Sequence, residues 1–289
     1  MMNETTKRIR ASGGRAEKLD VDGVELYALC DGYLDMELSR FPDVVRGIGD
    51  DLAIADGQDL NDMTVSVNAF LLRHGDRLCL IDAGDGIWRG NTLGFLPNAL
   101  AKLGIAPDEI TDLFMTHLHR DHAGGLFRDK RLVYPNANMY VAADEIAFWS
   151  TPELIDDVQR VQVPIAQAAL EAYRERIFVI QPDEEILPDI AVRALPGHTP
   201  GQVGFQLGKE RPLLIAADAL HLPALQIRHP EWGFLFDVNQ AQSLATRTAL
   251  LAEAAQSGLR LAGAHFPFPG VIGVTQGPEG LGFRNAAMP

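Results

Sequence analysis

Thr116-His117-Leu118-His119-Arg120-Asp121-His122 places three imidazoles and one carboxylate within positions 117 to 122, directly after the apolar run Leu113-Phe114-Met115. Imidazole and carboxylate are zinc-type ligands, and their crowding calls for more than one metal. A strand ending near Met115 or Thr116 delivers the motif onto a loop where alternate residues point the same way, so His117 and His119 can chelate one ion together. Asp121 and His122 fall past the strand end and can face a second ion. Gly124 and Gly125 are expected to permit a sharp turn there into a helix.

Three further pieces lie downstream: Pro196-Gly197-His198-Thr199-Pro200-Gly201, Ala216-Ala217-Asp218-Ala219-Leu220-His221 and Ala262-Gly263-Ala264-His265-Phe266-Pro267. Each sets a ligand-type residue at or just beyond the end of a strand-like apolar run, which is how a rigid scaffold preorganises a metal site. A fourth piece lies upstream, Asp82 in Leu80-Ile81-Asp82-Ala83-Gly84.

In this order of Asp, HxHxDH, His, Asp and His, the chain resembles the metallo-β-lactamase-fold hydrolases from about residue 20 to the end. The resemblance implies an α/β fold, a four-layer αββα sandwich of two mixed sheets flanked by helices. It also implies two Zn2+ per chain, with Co2+, Mn2+ or Fe2+ as alternatives. His117, His119 and His198 would hold one ion and Asp121, His122 and His265 the other, with Asp218 bridging. Asp82 would orient a ligand histidine or its loop. Diiron flavoproteins resembling this fold carry Glu at the second motif position; His119 stands there and favours zinc.

At 289 residues and 47% hydrophobic content, the chain suits one domain with ample core. The expected organisation is a polar N-terminal arm over 1–20, giving a homodimer contact, and a single domain over 21–289. Met1 to Glu17 is polar and basic with no apolar segment behind it, and no apolar run approaches the ~20 residues that span a bilayer. Cys30 and Cys79 lie in apolar runs without CxxC spacing, as buried thiols of a cytoplasmic protein would. The net charge of −14, with no stripe of Lys or Arg, argues against nucleic acid as a partner. No basic pocket for an anionic substrate is visible either, so a small neutral ester, lactone or phosphotriester is expected.

Patterning predicts a strand over 24–31 and a hairpin of 65–72 with 77–81. A helix over 98–103 closes at Gly104, and a strand over 138–142 leads to a helix from Asp144. Residues 153–175 are expected to be helical with a break at Pro164. Strands around Val192, 203–207 and 213–217 follow. The last long helix runs from Asn239 to Gln256, stopped by Ser257-Gly258.

The stretch from His221 to Asp237, the helix around Ala245-Thr246-Arg247 and the run His265-Phe266-Pro267-Phe268-Pro269-Gly270 resemble the subgroup of methyl parathion hydrolases and quorum-quenching lactonases. The resemblance implies attack by a metal-bridging hydroxide, with Asp121 orienting it. N-acyl-homoserine lactone is the first-choice substrate. A phosphotriester is the alternative, and a non-catalytic binding protein on the same fold is the third reading. Lactonases of this kind carry Tyr where His221 stands, so His221 is expected to contact the substrate or protonate its leaving group. Trp149, Phe148, Trp88, Phe95 and Phe266 are candidate pocket aromatics. His74 and His229 are expected outside the site.

Overall fold

The computed structural model describes residues 13–55, 59–61, 63–210, 212–278 and 280–285. Two seven-stranded sheets form the centre of the molecule. The first comprises β1 (Ala16–Val21), β2 (Val24–Asp35), β3 (Thr64–His74), β4 (Arg77–Ile81), β5 (Asp112–Phe114), β8 (Asn138–Ala142) and β9 (Ile177–Ile180), in that spatial order. A separate small hairpin, β6 (Phe127–Arg128) with β7 (Arg131–Leu132), interrupts it in sequence. The first four strands pair antiparallel and the last three join in parallel. The second sheet runs β10 (Glu185–Leu187), β11 (Ile190–Ala194), β12 (Val203–Leu207), β13 (Leu213–Ala217), β14 (Arg260–Gly263), β15 (Val271–Gly277) and β16 (Gly280–Asn285). Only β13 with β14 is parallel among its pairs.

Strand alternation assigns the layers. Cys79, Ile81 and Phe114 of the first sheet pack between the sheets against Val192, Phe205 and Ile215 of the second. Their neighbours Leu80 and Leu113 point outward to Leu100, Trp149 and Ala166 on one flank. Leu214 and Leu261 point outward to Leu250, Leu251 and Ala254 on the other. Both faces of each sheet are therefore covered, which is the αββα sandwich. Asn239 caps the helix Gln240–Ser257 by accepting from the Gln242 amide, and Gly258 ends it in the left-handed region.

Residues 16–20, expected in the arm, form most of β1 and pair with β2. The supposed dimer-contact residues 1–12 lie outside the described residues. Pro164 starts the helix Val163–Tyr173 instead of breaking one, because its missing N–H is harmless in a first turn. Before it, short 3-10 turns at Pro152–Leu154 and Gln159–Val161 replace the expected helix. No helix among the described residues is long and apolar enough to cross a membrane.

The turn at the metal motif also differs from expectation. The helical turn Arg120–Ala123 begins within the motif itself, and Gly124 keeps an ordinary helical φ of −65°. These glycines serve close approach: a Cβ on Gly125 would lie 1.9 Å from the Ala83 carbonyl oxygen, and one on Gly124 2.3 Å from that of Asp85. Gly125→Ala is accordingly expected to cost about 3 kcal/mol or more of unfolding free energy in urea. Gly23→Ala meets no neighbouring atom and should cost only roughly 1–2 kcal/mol for its positive φ. Equal losses would mean that the packing of the Ala83 loop on Gly125 does not constrain the fold.

Candidate metal centre

The ends of β4, β5, β11, β13 and β14 open onto one edge of the sandwich and supply Asp82, the 117–122 motif, His198, Asp218 and His265. Potential ligand atoms of His117, His119 and His198 lie within 4.8 Å of one another, as do those of Asp121, His122 and His265. Asp218 stands between the trios. Its Oδ2 is 3.3 Å from His265 Nε2, 3.4 Å from His198 Nε2 and 3.9 Å from His117 Nε2, and its Oδ1 is 3.3 Å from His122 Nε2. Every residue assigned to metal by resemblance is thus brought into one cluster.

Each of the five imidazoles has its other nitrogen engaged. His122 Nδ1 lies 2.8 Å from Asp82 Oδ2, and His198 Nδ1 lies 2.8 Å from Asp237 Oδ1. His117 Nδ1 is 3.1 Å from Thr116 Oγ1, whose own hydroxyl donates to Asp82. His119 Nε2 is 2.8 Å from Gln159 Oε1, and His265 Nδ1 is 3.2 Å from the Ser66 carbonyl. An acceptor on the outer nitrogen fixes the tautomer that leaves the inner lone pair free for a metal. The inner atoms include His117 Nε2, His122 Nε2 and Asp218 Oδ1, all buried without a hydrogen-bond partner. Leaving one such atom unsatisfied costs about 1–3 kcal/mol, so several on one centre fit a cation site. The donor set of imidazole and carboxylate suits zinc and related divalent ions.

Electrostatics agree with that fit. Burial holds His117 well below its ordinary pKa, and pushes His119 down to about 3 and His221 down to about 4. Burial also opposes charge on His122, but Asp218 and Asp82 outweigh it and hold its pKa well up. Asp218 and Asp121 do the same at His265. Desolvation of Asp121 is overcome by Arg89, His122 and His265, and that of Asp218 by His122, His265 and His221, so both carboxylates stay ionised. The field of these carboxylates thus favours positive charge at the centre, and a metal bound there would compete with protons for the nitrogens of His122 and His265.

Asp82 lies where a group orienting His122 and the motif loop would stand. Its carboxylate accepts from the Thr116 amide at 2.9 Å and the Thr116 hydroxyl at 2.8 Å as well as facing His122. Several supporting residues escaped the sequence reading. Asp237 is fully enclosed and accepts from Arg247 Nη2 and Ser243 Oγ, while Arg247 itself spans the carbonyls of Ala219, Pro230 and Trp232. Buried Glu145 accepts from the Leu118 amide, the Trp149 indole and the Thr199 hydroxyl, joining the HxHxDH loop to the His198 loop. Asp31 accepts from the amides of Asp85, Gly94 and Leu96 and organises the loop after Asp82. Asp237 lies 39 residues from His198, Glu145 27 from Leu118 and 54 from Thr199, and Asp31 54 or more from the amides it accepts from, so no local motif announces them.

The cavity beside the cluster is lined by His119, Asp121, His198, Asp218 and His265, with Leu34, Met36, Val161, Phe234 and Phe236 as its apolar wall. None of the five proposed aromatics lines it. Phe148 and Trp149 are buried in the flanking core, with Trp149 behind His119, and Phe266 packs under the second sheet. Phe95 covers Gly13, and Trp88 is exposed while its indole donates to the Gly124 carbonyl. Phe148, Trp149 and Phe266 lie in the cores, where burial of their area outweighs placement at a wet cleft. His221 is fully buried and absent from the cavity wall. Its Nε2 lies 3.1 Å from Asp218 Oδ2, and its ring stands between Phe234 and His265. The expected direct substrate contact is therefore replaced by contact with Asp218. The expectation of no basic pocket also fails: Arg40, Arg89 and Arg120, dispersed in sequence, converge on the cavity. His74 and His229 lie apart, the latter paired with Glu231.

A family profile described as the Metallo-beta-lactamase superfamily matches residues 63–265, the greater part of the chain. An N-acyl homoserine lactonase of Bacillus sp is 30% identical over 130 residues, which cover 42% of this chain and 43% of that protein. N-acyl homoserine lactonase AiiB of Agrobacterium fabrum is 26% identical over 185 residues, 54% of this chain and 64% of that one. The matches thus span less than two thirds of these relatives' own lengths. Among solved structures, AidC, a dizinc quorum-quenching lactonase in complex with a product N-hexanoyl-L-homoserine, superposes with a TM-score of 0.88 at 25% identity over 95% of this chain and 98% of that one. The hydrolase AbOPH superposes with a TM-score of 0.87, also at 25% identity, over 95% and 98%. The order of the ligand residues, the two packed mixed sheets and the profile over 63–265 agree: this chain belongs to the metallo-β-lactamase superfamily.

Proposed function

We propose that this chain is a dinuclear metal hydrolase that opens a neutral lactone, with N-acyl-homoserine lactones as the first choice and quorum quenching as the setting. The observation that carries this is the seven-residue cluster around Asp218, in which five imidazoles are each fixed from outside by an acceptor. The lactonase names of the relatives and of AidC support the substrate class. Bound there, two divalent ions (zinc first) would bring the pKa of water down to about 7 and polarise a carbonyl oxygen.

The chain's own residues supply the rest. Asp121 is the ligand-type carboxylate with side-chain exposure to the cavity, 12% against 3% for Asp218. Ionised, it accepts a hydrogen bond from the attacking water and so orients it. Water adds to the lactone carbonyl, the ring acyl C–O bond breaks, and a single hydroxy acid leaves, its new carboxyl and hydroxyl groups carrying the oxygen and both hydrogens of the water. Leu34, Met36, Val161, Phe234 and Phe236 offer an apolar wall for an acyl chain. His221 holds Asp218 in place instead of meeting substrate. Two buried free cysteines suit a reducing cytoplasm.

Zinc-loaded protein is expected to hydrolyse N-acyl-homoserine lactones faster than aryl phosphotriesters in a parallel screen. A clear preference for phosphotriesters would replace the lactone assignment. Asp237→Asn, which weakens the acceptor behind His198, should lower zinc affinity about 10- to 100-fold in a chelator competition. Unchanged affinity would remove Asp237 from the support of the site. His221→Ala should slow lactone and nitrophenyl phosphotriester hydrolysis by similar factors, because its contact is with Asp218. A loss confined to the lactone, whose leaving alkoxide needs a proton, would restore the general-acid role.

A further inference from the structure

Three guanidiniums reach the cavity, and two have acidic partners. Arg89 Nε lies 3.1 Å from Asp85, with Nη2 3.6 Å from Asp121, and Arg120 Nε lies 3.9 Å from Asp85. Arg40 has no carboxylate partner among the described residues, although it is half-buried and lines the same cavity. Its backbone is pinned: it ends the short turn Leu38–Arg40, and its carbonyl accepts from the Leu235 amide at 2.7 Å. Its guanidinium carbon lies 5.8 Å from the centroid of the Phe236 ring, and that ring lies 6.4 Å from the His119 ring.

A partly desolvated guanidinium with no counter-ion retains unused donors facing the cavity. It stands at cation–π range over Phe236, one aromatic ring from a ligand-type histidine. A carbonyl oxygen accepting from it would gain a charge-assisted hydrogen bond. In an acylated amino-lactone, the amide carbonyl stands only a few bonds from the ring carbonyl. When the ring carbonyl occupies the cluster, the amide oxygen therefore reaches toward the cavity wall.

We propose that Arg40 is a specificity-determining residue that donates a hydrogen bond to the acyl amide carbonyl of the lactone substrate. The proposal rests on the lactone reading and extends it from the reacting ring to the side arm. Arg40 then selects acylamino lactones over lactones bearing a bare alkyl chain, while the apolar wall holds the chain beyond the amide.

The test compares zinc-loaded wild type, Arg40→Met and Arg40→Lys on N-hexanoyl-homoserine lactone and on an alkyl γ-lactone that lacks the amide. Metal content and melting temperature are measured for each protein. Arg40→Met keeps the apolar stem against Phe236. It should raise KM for the acylamino lactone about 10- to 100-fold, as loss of a charge-assisted bond implies. The alkyl lactone should suffer a much smaller change, and Arg40→Lys should recover part of the loss. Equal losses on both lactones with metal retained would make Arg40 a wall residue and overturn the assignment, as would no loss on either. Wild-type preference for a lactone with a carboxylate on its acyl arm would overturn it in favour of an anion contact. Wild type inert on both lactones would remove the lactone reading itself, and the Arg40 assignment with it.

Discussion

The carboxylate of Asp218 sits among five imidazoles, those of His117, His122, His198, His221 and His265, with nitrogen–oxygen distances from 3.1 to 3.9 Å. Few arrangements are so expensive to bury. A fully enclosed carboxylate and its polar neighbours must be paired, or the desolvation cost exceeds what packing returns. The structure meets this constraint by bringing the ends of five strands from two sheets to one point. The histidines around Asp218 supply the field that keeps it ionised. Backbone strain is tolerated for the same end: Asp82 (φ 59°) and Ala217 (φ 46°) adopt left-handed conformations at or beside site residues. Such residues cost on the order of 1–3 kcal/mol each and persist where their surroundings dictate them.

Cross-sheet hydrogen bonds carry the constraint outward. The Thr116 carbonyl accepts from the Val203 amide, so the motif of one sheet is tied to a strand of the other. Asn68 of β3 donates to the carbonyls of Gly263 and Phe266, and its amide N–H donates to Ala264, which fixes the His265 loop. Glu145 binds the loops of His119 and His198 to one helix, and Gly201 admits that helix because a Cβ there would lie 2.0 Å from the Glu145 nitrogen. Buried networks of this kind position groups sharply when complete and fail when partly broken. These ligand-type side chains are therefore held as one preorganised unit rather than independently.

Global and local charge part company in this protein. The net charge is −14, yet the cavity gathers three arginines beside its carboxylates. Exposed charge is screened within about 8–10 Å at ordinary salt, so the net charge of the chain says little about what the site accepts. What a substrate meets is the local pattern: an apolar wall, an enclosed cluster of ligand-type groups and the guanidinium of Arg40 at the edge.

The sequence alone determined the ligand-type residues, because metal chemistry admits few side chains and the HxHxDH spacing is dictated by local backbone geometry. Alternation and capping, which are short-range signals, also marked the inner strands of both sheets and the capped helix after Asn239, but not β1, β10, β15 or β16. Asp82 was legible because it follows a buried strand in phase with the motif. Asp237, Glu145, Gln159 and the three arginines were not. Glu145 acts on Leu118 across 27 residues and on Thr199 across 54, Asp237 on His198 across 39 and Gln159 on His119 across 40, and only the closing of the tertiary fold brings them together. The aromatics and His221 were misplaced for a related reason. Side-chain chemistry states what a residue can do, but the competition between core burial and cavity exposure is decided by the neighbours that the tertiary fold provides.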